Sequence, residues 1–327
     1  MKSGLLRPFA VRDFRFLFSG ETISVIGDQF HFVALAWLTL QLTGSGLALG
    51  TVLMVAAIPR GVFMLVGGAL SDRFSPRSLM LGSNAIRSVL VGILAALVLT
   101  GRAELWQLYV MAGIFGVVDA LFYPAVGTIL PMLVDEETLP PANALMQGSQ
   151  QFASLIGPAA AGVLVALVNT GPAFVIDAVS FAVASVALLF VVGGRRAPAA
   201  EGPHEAQPGV LSSIGEGLGY AFGDPAVRSL IVLTAAFNFA LSGPLTVGLP
   251  YLADQRFEGG SAAFGILLSG FGGGALLGAV LAGSIQRVPR LGSAVLAIGV
   301  GLGVLVALIG FAPSVPLAFG LLAAIGL

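Results

Sequence analysis

Ten stretches of this chain are apolar for about the thickness of a bilayer, and most of the segments between them are long enough only to turn the chain around. A transmembrane helix needs about 20 mostly apolar residues, and on that measure spans fall at about 14–41, 46–70, 79–100, 105–130, 144–168, 173–193, 227–252, 262–284, 291–312 and 315–327. The tenth is cut short. Connections of a few residues make neighbouring helices antiparallel. The residues are 57% hydrophobic and 9% charged, where soluble domains carry roughly 25% charged residues. The expected fold class is therefore all-α, a polytopic membrane helix bundle in which lipid replaces a soluble core.

The formal net charge is −1 and Lys2 is the one lysine, so neither a nucleic-acid footprint nor a polybasic lipid patch is present. There is no cysteine, and the two histidines are His31 and His204. Disulfides, thiolate metal sites, cysteine nucleophiles and histidine-built metal centres are thereby excluded. The basic N-terminus followed by an apolar run, with Ala34-Leu35-Ala36, has the outline of a signal peptide. Glu21 and Asp28 inside the run argue instead for a permanent first span.

Basic residues set orientation, because positive loops stay cytoplasmic. With the N-terminus inside, Lys2, Arg7, Arg12, Arg15, Arg73, Arg77, Arg195, Arg196, Arg228, Arg287 and Arg290 fall on the cytoplasmic side, and Arg102 and Arg256 fall outside. The expected arrangement is a multi-pass membrane protein with its N-terminus cytoplasmic. The long connection, about 194–225, is rich in proline and glycine and reads as a cytoplasmic linker. Leu211, Ile214, Leu218 and Phe222 recur there at helical spacing, as in a short surface amphipathic helix. Six spans, a linker and further spans suggest an internal repeat: a six-helix bundle over 1–193 and a partial second bundle over 226–327. The expectation is two pseudo-symmetric halves, the second truncated at nine to ten of twelve spans.

Between the second and third spans lies Gly68 to Arg77, GALSDRFSPR, a tight hairpin carrying Asp72, Arg73 and Arg77. Together with Gly27-Asp28, Thr43-Gly44-Ser45, Pro59, Arg87, Gly157-Pro158, Asp177 with Phe181, Gly243-Pro244 and Leu249-Pro250, this hairpin resembles the major facilitator superfamily. The resemblance is to the branch of bacterial exporters that includes the enterobactin exporter. It implies a transporter of alternating access, in which Gly68, Asp72, Arg73 and Arg77 form the conformational hairpin and Asp72 faces a helix end in the second half. Two positions depart from the pattern: Ser75 stands where glycine is usual and Pro76 where a basic residue is usual. The second-half counterpart, Gly283 to Arg290, has no acidic residue. Gly148 and Gly157-Pro158 resemble part of a motif found on this helix in antiporters of the superfamily.

Charges at membrane depth cost at least about 2.5–3.5 kcal/mol on insertion scales and so mark functional candidates. Here they are Glu21, Asp28, Arg60, Arg87, Asp119 and Asp177. Glu21, Ser24, Asp28 and His31 share one face of the first span. Asp28 lies about 21 Å into it at ~1.5 Å per residue, near the bilayer middle. A carboxyl group there can load and release a proton during transport, or can be a permanently paired structural group with Arg60 or Arg87 as partner. Asp119 is the second proton candidate, with Glu21 and His31 beside Asp28, while Asp177 reads as a packing or gating residue. Gln147, Gln150 or Gln151, and Ser154 make a polar stripe on span five, and Asn238 and Ser242 answer it on span seven as candidate cargo contacts.

A primary pump would need a phosphate-binding lysine after a glycine-rich loop, which Lys2 cannot supply, and no nucleophile, base or metal cluster is placed as in an enzyme. No cofactor is expected. The favoured reading is a monomeric secondary transporter working with protons, lipid and a small molecule: a proton-coupled exporter of a hydrophobic or amphipathic drug or siderophore. A truncated, non-transporting membrane protein and a metabolite uniporter or importer are the alternatives.

Overall fold

The computed structural model describes residues 4–71, 74–193, 219–282 and 291–327, and among them every regular element is helical. A 3-10 segment (Gly4–Ala10) leads into α1 (Arg12–Thr43), α2 (Gly46–Ser71), α3 (Pro76–Leu99), α4 (Leu105–Leu133), α5 (Leu139–Leu167) and α6 (Thr170–Leu189). Beyond the linker come α7 (Pro225–Arg256), α8 (Gly260–Ala282), α9 (Leu291–Phe311) and α10 (Val315–Gly326). Helices α1 to α8 are long and apolar enough to cross a membrane, while α9 and α10 carry the shorter apolar stretches Val295–Phe311 and Val315–Gly326. Each expected span thus has its helix. Asp72, Arg73, Leu211, Ile214, Leu218 and the second-half hairpin lie outside the described residues.

Short-range chemistry sets where the helices stop and start. Gly44 ends α1 with φ 62° and Gly101 follows α3 with φ 67°, left-handed conformations in which a side chain is strained. Ser75 caps α3, its hydroxyl accepting the Ser78 N–H at 3.2 Å, and Pro76 occupies the first turn where its missing N–H costs nothing. The two residues that depart from the superfamily hairpin therefore make a helix start. Glu104 and Gln107 form a capping box on α4. α7 is continuous except at Pro244–Gly248, where the backbone widens into a π-helical turn. Pro244 lacks an amide hydrogen and crowds the preceding turn, so the helix changes pitch there.

At the N-terminal end, Arg7 pairs with Glu137 at 2.9 Å and with Asp135 at 3.7 Å. Hydrogen bonding from the Thr138 side chain, then from its backbone N–H, holds the Asp135 carboxyl below the usual carboxylate range, with the Arg7 charge adding to it. Asp13 accepts the N–H groups of Val192 and Gly193, and Arg77 donates to the Leu188 and Leu189 carbonyls. The end of α6 is thus fastened to α1 and to the start of α3.

Within the first six helices, α1 packs on α5 and α6, α3 on α6 and α2 on α4, while α5 packs along α8, which in turn packs on α10. Small residues make the closest crossings. A Cβ on Gly116 of α4 would strike the Ala56 carbonyl of α2, one on Gly162 would strike α8, and one on Gly274 would strike the Ala323 carbonyl of α10. At Pro158 of α5 the missing amide frees backbone groups that α8 meets. The Ala159 N–H donates to Ser269 Oγ at 3.0 Å, and the Ser154 carbonyl lies where a Cβ on Gly272 would be. Van der Waals packing of this kind, rather than apolar burial, drives helix association in lipid. The outward faces are apolar and stay uncovered, Phe239 at 89% exposure being the extreme.

One apolar cluster joins Val33 and Ala36 of α1, Leu49 of α2 and Ala161 of α5 to Leu249 of α7, Phe257 just after it, Phe264 of α8 and Leu322 of α10. It seals the end of the bundle opposite the N-terminus. Gly272→Val should overpack the α5–α8 crossing, lowering stability by about 1–3 kcal/mol. Gly301→Val, where nothing lies within 4 Å of the added Cβ, should change it far less. Thermal unfolding in detergent compares the two.

Candidate functional site

From the middle of the bundle toward its N-terminal end the helices diverge around a cavity of about 950 Å³. Its walls come from α1, α3, α4 and α5. α1 contributes the face bearing Glu21, Ser24, Asp28 and Phe32, α4 contributes Phe115, Asp119, Phe122 and Tyr123, and α5 contributes Asn143, Gln147, Gln150 and Ser154. The stripe expected on α1 therefore faces the cavity. On α5 Gln150 takes the position open between it and Gln151, which is not among the lining residues.

Arg87 of α3 is 4% exposed and meets the Asp119 carboxylate directly. Three rings surround its guanidinium, with Phe122 at 4.2 Å and Phe115 and Phe181 each at 5.5 Å from Cζ to the centroid. Ring faces attract a cation and replace part of the water it has lost. Arg60 of α2 approaches the second oxygen of Asp119 at 3.9 Å. The acidic partner of both arginines is thus Asp119. Asp177 of α6, fully buried, has His31 of α1 within ion-pairing distance, Nδ1 to Oδ2 at 2.9 Å, while that nitrogen and both Asp177 oxygens are without a hydrogen bond among the described residues.

Those pairs leave Glu21 and Asp28. Among the described residues neither carboxyl has an arginine or histidine within ion-pairing distance, and Glu21 Oε1 has no hydrogen-bond donor. Carboxyl groups without a cation inside a bundle are costly, and such groups mark transport pathways. Asp28 lines the cavity at the level where the apolar seal begins, one helical turn below Phe32. That position suits a group which must see the cavity in one conformation and be enclosed in another.

Asn238 and Ser242 sit on the exposed surface of α7, the Asn238 amide donating to its own helix at Thr234. They do not line the cavity. Gly68 belongs to α2, Arg77 reaches α6 as described, and Asp72 and Arg73 lie outside the described residues. Sequence reasoning missed Asn84, fully buried on α3 beside Glu21. Its signal was the run Ser83, Asn84, Arg87 and Ser88, a polar stripe at helical spacing on an apolar helix.

A family model described as transmembrane secretion effector, of the MFS type, matches residues 3–327. An MFS-type transporter of Bacillus subtilis, YfiS, is 30% identical over 69% of the chain and 53% of its own length. Macrolide efflux protein A of Streptococcus pyogenes is 22% identical over 82% of the chain and 65% of its length. The multidrug efflux pump Tap of Mycolicibacterium fortuitum is 26% identical over 92% and 74%. The chain thus spans from about half to three quarters of these relatives. Among solved structures, a bacterial homolog to the human lysosomal transporter Spinster, inward-facing and occupied, superposes with TM-score 0.69 at 16% identity over 96% of this chain and 70% of that one.

Arg87→Met should destabilise the protein by up to about 3 kcal/mol, because it leaves Asp119 with only the more distant Arg60 as partner. Pairing it with Asp119→Leu should restore most of the loss. Unfolding in detergent of the two single variants and the double variant measures the recovery.

Proposed function

We propose that this chain, which belongs to the transmembrane secretion effector family of major facilitator transporters, forms the cargo-binding part of a proton-coupled exporter of hydrophobic or amphipathic small molecules. One observation carries the reading: Asp28 stands in the wall of a cavity large enough for a drug-sized ligand and, among the described residues, has no arginine or histidine within ion-pairing distance, Arg87 in the same wall being engaged by Asp119. An acid so placed can hold either a proton or a positively charged cargo. Export is supported by relatives named for macrolide and multidrug efflux. A siderophore as cargo rests on the residues that resemble the enterobactin exporter branch.

In this reading residues 1–193 and 226–327 are two bundles joined by the linker, the N-terminus is cytoplasmic, and the chain lies in the bacterial inner membrane as a monomer. The cavity then opens inward while the apolar cluster closes the outer end. Gln147, Gln150 and Ser154 offer hydrogen bonds to cargo, and Phe32, Phe115, Phe122 and Tyr123 offer apolar and ring contacts. Cargo entering from the inside displaces the proton from Asp28. The bundles rock, α8 sliding along α5, cargo leaves, and a proton from outside resets the acid. Arg87 keeps Asp119 engaged throughout, leaving Asp28 as the group that changes partner. Glu21, near Asn84 deeper toward the N-terminal end, is the route by which the proton leaves.

Asp28→Asn should insert and fold as the parent does and should lose efflux of a fluorescent lipophilic cation that a protonophore abolishes in the parent. Cells expressing the full-length protein provide the assay. Retained protonophore-sensitive efflux in the variant would remove Asp28 from the mechanism.

A further inference from the structure

A second, smaller void lies beyond His31, toward the end of the bundle opposite the N-terminus. Its volume is about 20 Å³, room for roughly one water. α1, α3 and α4 line it, through Leu35, Leu90, Leu94, Leu108 and Phe115 among others, and His31 is the one ionisable side chain in its wall. Phe115 lines both this void and the cargo cavity. Its ring stacks on the His31 ring with centroids 5.1 Å apart and planes 25° from parallel.

The groups on the near side of His31 are arranged in sequence. Asp177 lies 2.9 Å from its Nδ1, with no hydrogen bond between them in this conformation, and lines neither cavity. A Cβ on Gly27 would fall 3.0 Å from Asp177 Oδ1, so glycine lets the α6 carboxyl reach the α1 backbone beside Asp28. The void, His31, the α6 carboxyl of Asp177 beside Gly27, and Asp28 therefore lie in succession beside α1, and of the three side chains only Asp28 lines the cargo cavity. The other charged groups around them are Glu21 on α1, Arg60 on α2, Arg87 on α3 and Asp119 on α4. Both arginines are engaged by Asp119, and a guanidinium releases no proton at physiological pH.

A buried water is held by two to four polar partners, and an apolar void offering one stays dry. A proton cannot cross a dry gap of this kind. We propose that this void is the closed gate of a proton route separate from the cargo cavity, running through His31 and Asp177 to Asp28. The proposal rests on the proton-coupled reading above. When the α3 and α4 side chains part, water enters and conducts a proton as hydronium to His31 Nε2, a neutral water remaining behind. As the ring turns to form a hydrogen bond to Asp177, the Nδ1 proton passes to that carboxylate, so one N–H bond forms as one breaks and the ring stays neutral. The proton then moves from Asp177 to Asp28. Because Phe115 stands between the two voids, the proton can arrive from the far end while the cargo cavity faces the other way.

Leu90→Ser tests the gate, since a hydroxyl and a smaller side chain in the wall should let water stay. In the full-length protein reconstituted into vesicles holding a pH-sensitive dye, without cargo, wild type should be as proton-tight as empty vesicles under an imposed pH gradient. Leu90→Ser should leak severalfold faster, and adding His31→Gln should return the leak to the wild-type level. No leak in Leu90→Ser, or a leak that persists without His31, would overturn the route. Protonophore-sensitive efflux by wild type is measured on the same preparations; its absence counts against the coupled-exporter reading itself, whereas its presence with a leak-free Leu90→Ser counts against the gate alone.

Discussion

A guanidinium inside a bilayer has to find its partners within the protein, and the meeting of Arg87 with Asp119 inside a ring of three phenylalanines governs the middle of this bundle. It ties α3 to α4, draws Arg60 of α2 toward the same carboxylate, and sets Phe115 and Phe122 as walls of the cavity. Breaking such a pair is far more costly than its net contribution to stability. Its role is to fix geometry. With Asp119 held by arginine and Asp177 buried within 2.9 Å of a histidine nitrogen, the carboxyls on α1 are the ones free to exchange partners.

The same bundle is tight where it crosses and open where it works. Glycines let α5, α8 and α10 approach to backbone distance, and Pro158 hands its neighbour's amide to Ser269 across the α5–α8 contact. Contacts built from small residues and few hydrogen bonds allow helices to slide with little rearrangement of side chains. Packing at one end comes from the apolar cluster, and space at the other from the divergence of α1, α4 and α5.

Much of this was legible in the sequence because the bilayer imposes a simple rule. About 20 apolar residues make a span, and among the described residues each apolar run holds a helix, the last two shorter than a full span. The face of Glu21, Ser24 and Asp28 could be read from spacing alone, since α1 is regular over its whole length. Pairing was not legible. Spacing places Arg60, Arg87 and Asp119 on three different helices, and which arginine meets which acid depends on rotations about helix axes that one sequence does not encode locally. The same holds for Asp177 and His31, and for Gln150 against Gln151, where a rotation of about 100° decides which amide faces the cavity. Asn84 went unread because a buried amide carries no charge to draw notice. The π-helical turn in α7 was signalled only as Gly243-Pro244, a pair that marks a perturbation without stating its form.

The most direct test of the central claim is proton release on cargo binding. Full-length protein in weakly buffered detergent solution near neutral pH is mixed with a lipophilic fluorescent cation, and the pH change is followed together with binding. If Asp28 alternates between proton and cargo, binding should release protons, and Asp28→Asn should bind or fail to bind with no release. Cargo binding with no proton release by the parent protein, or with the same release by the Asp28→Asn variant, would contradict the account.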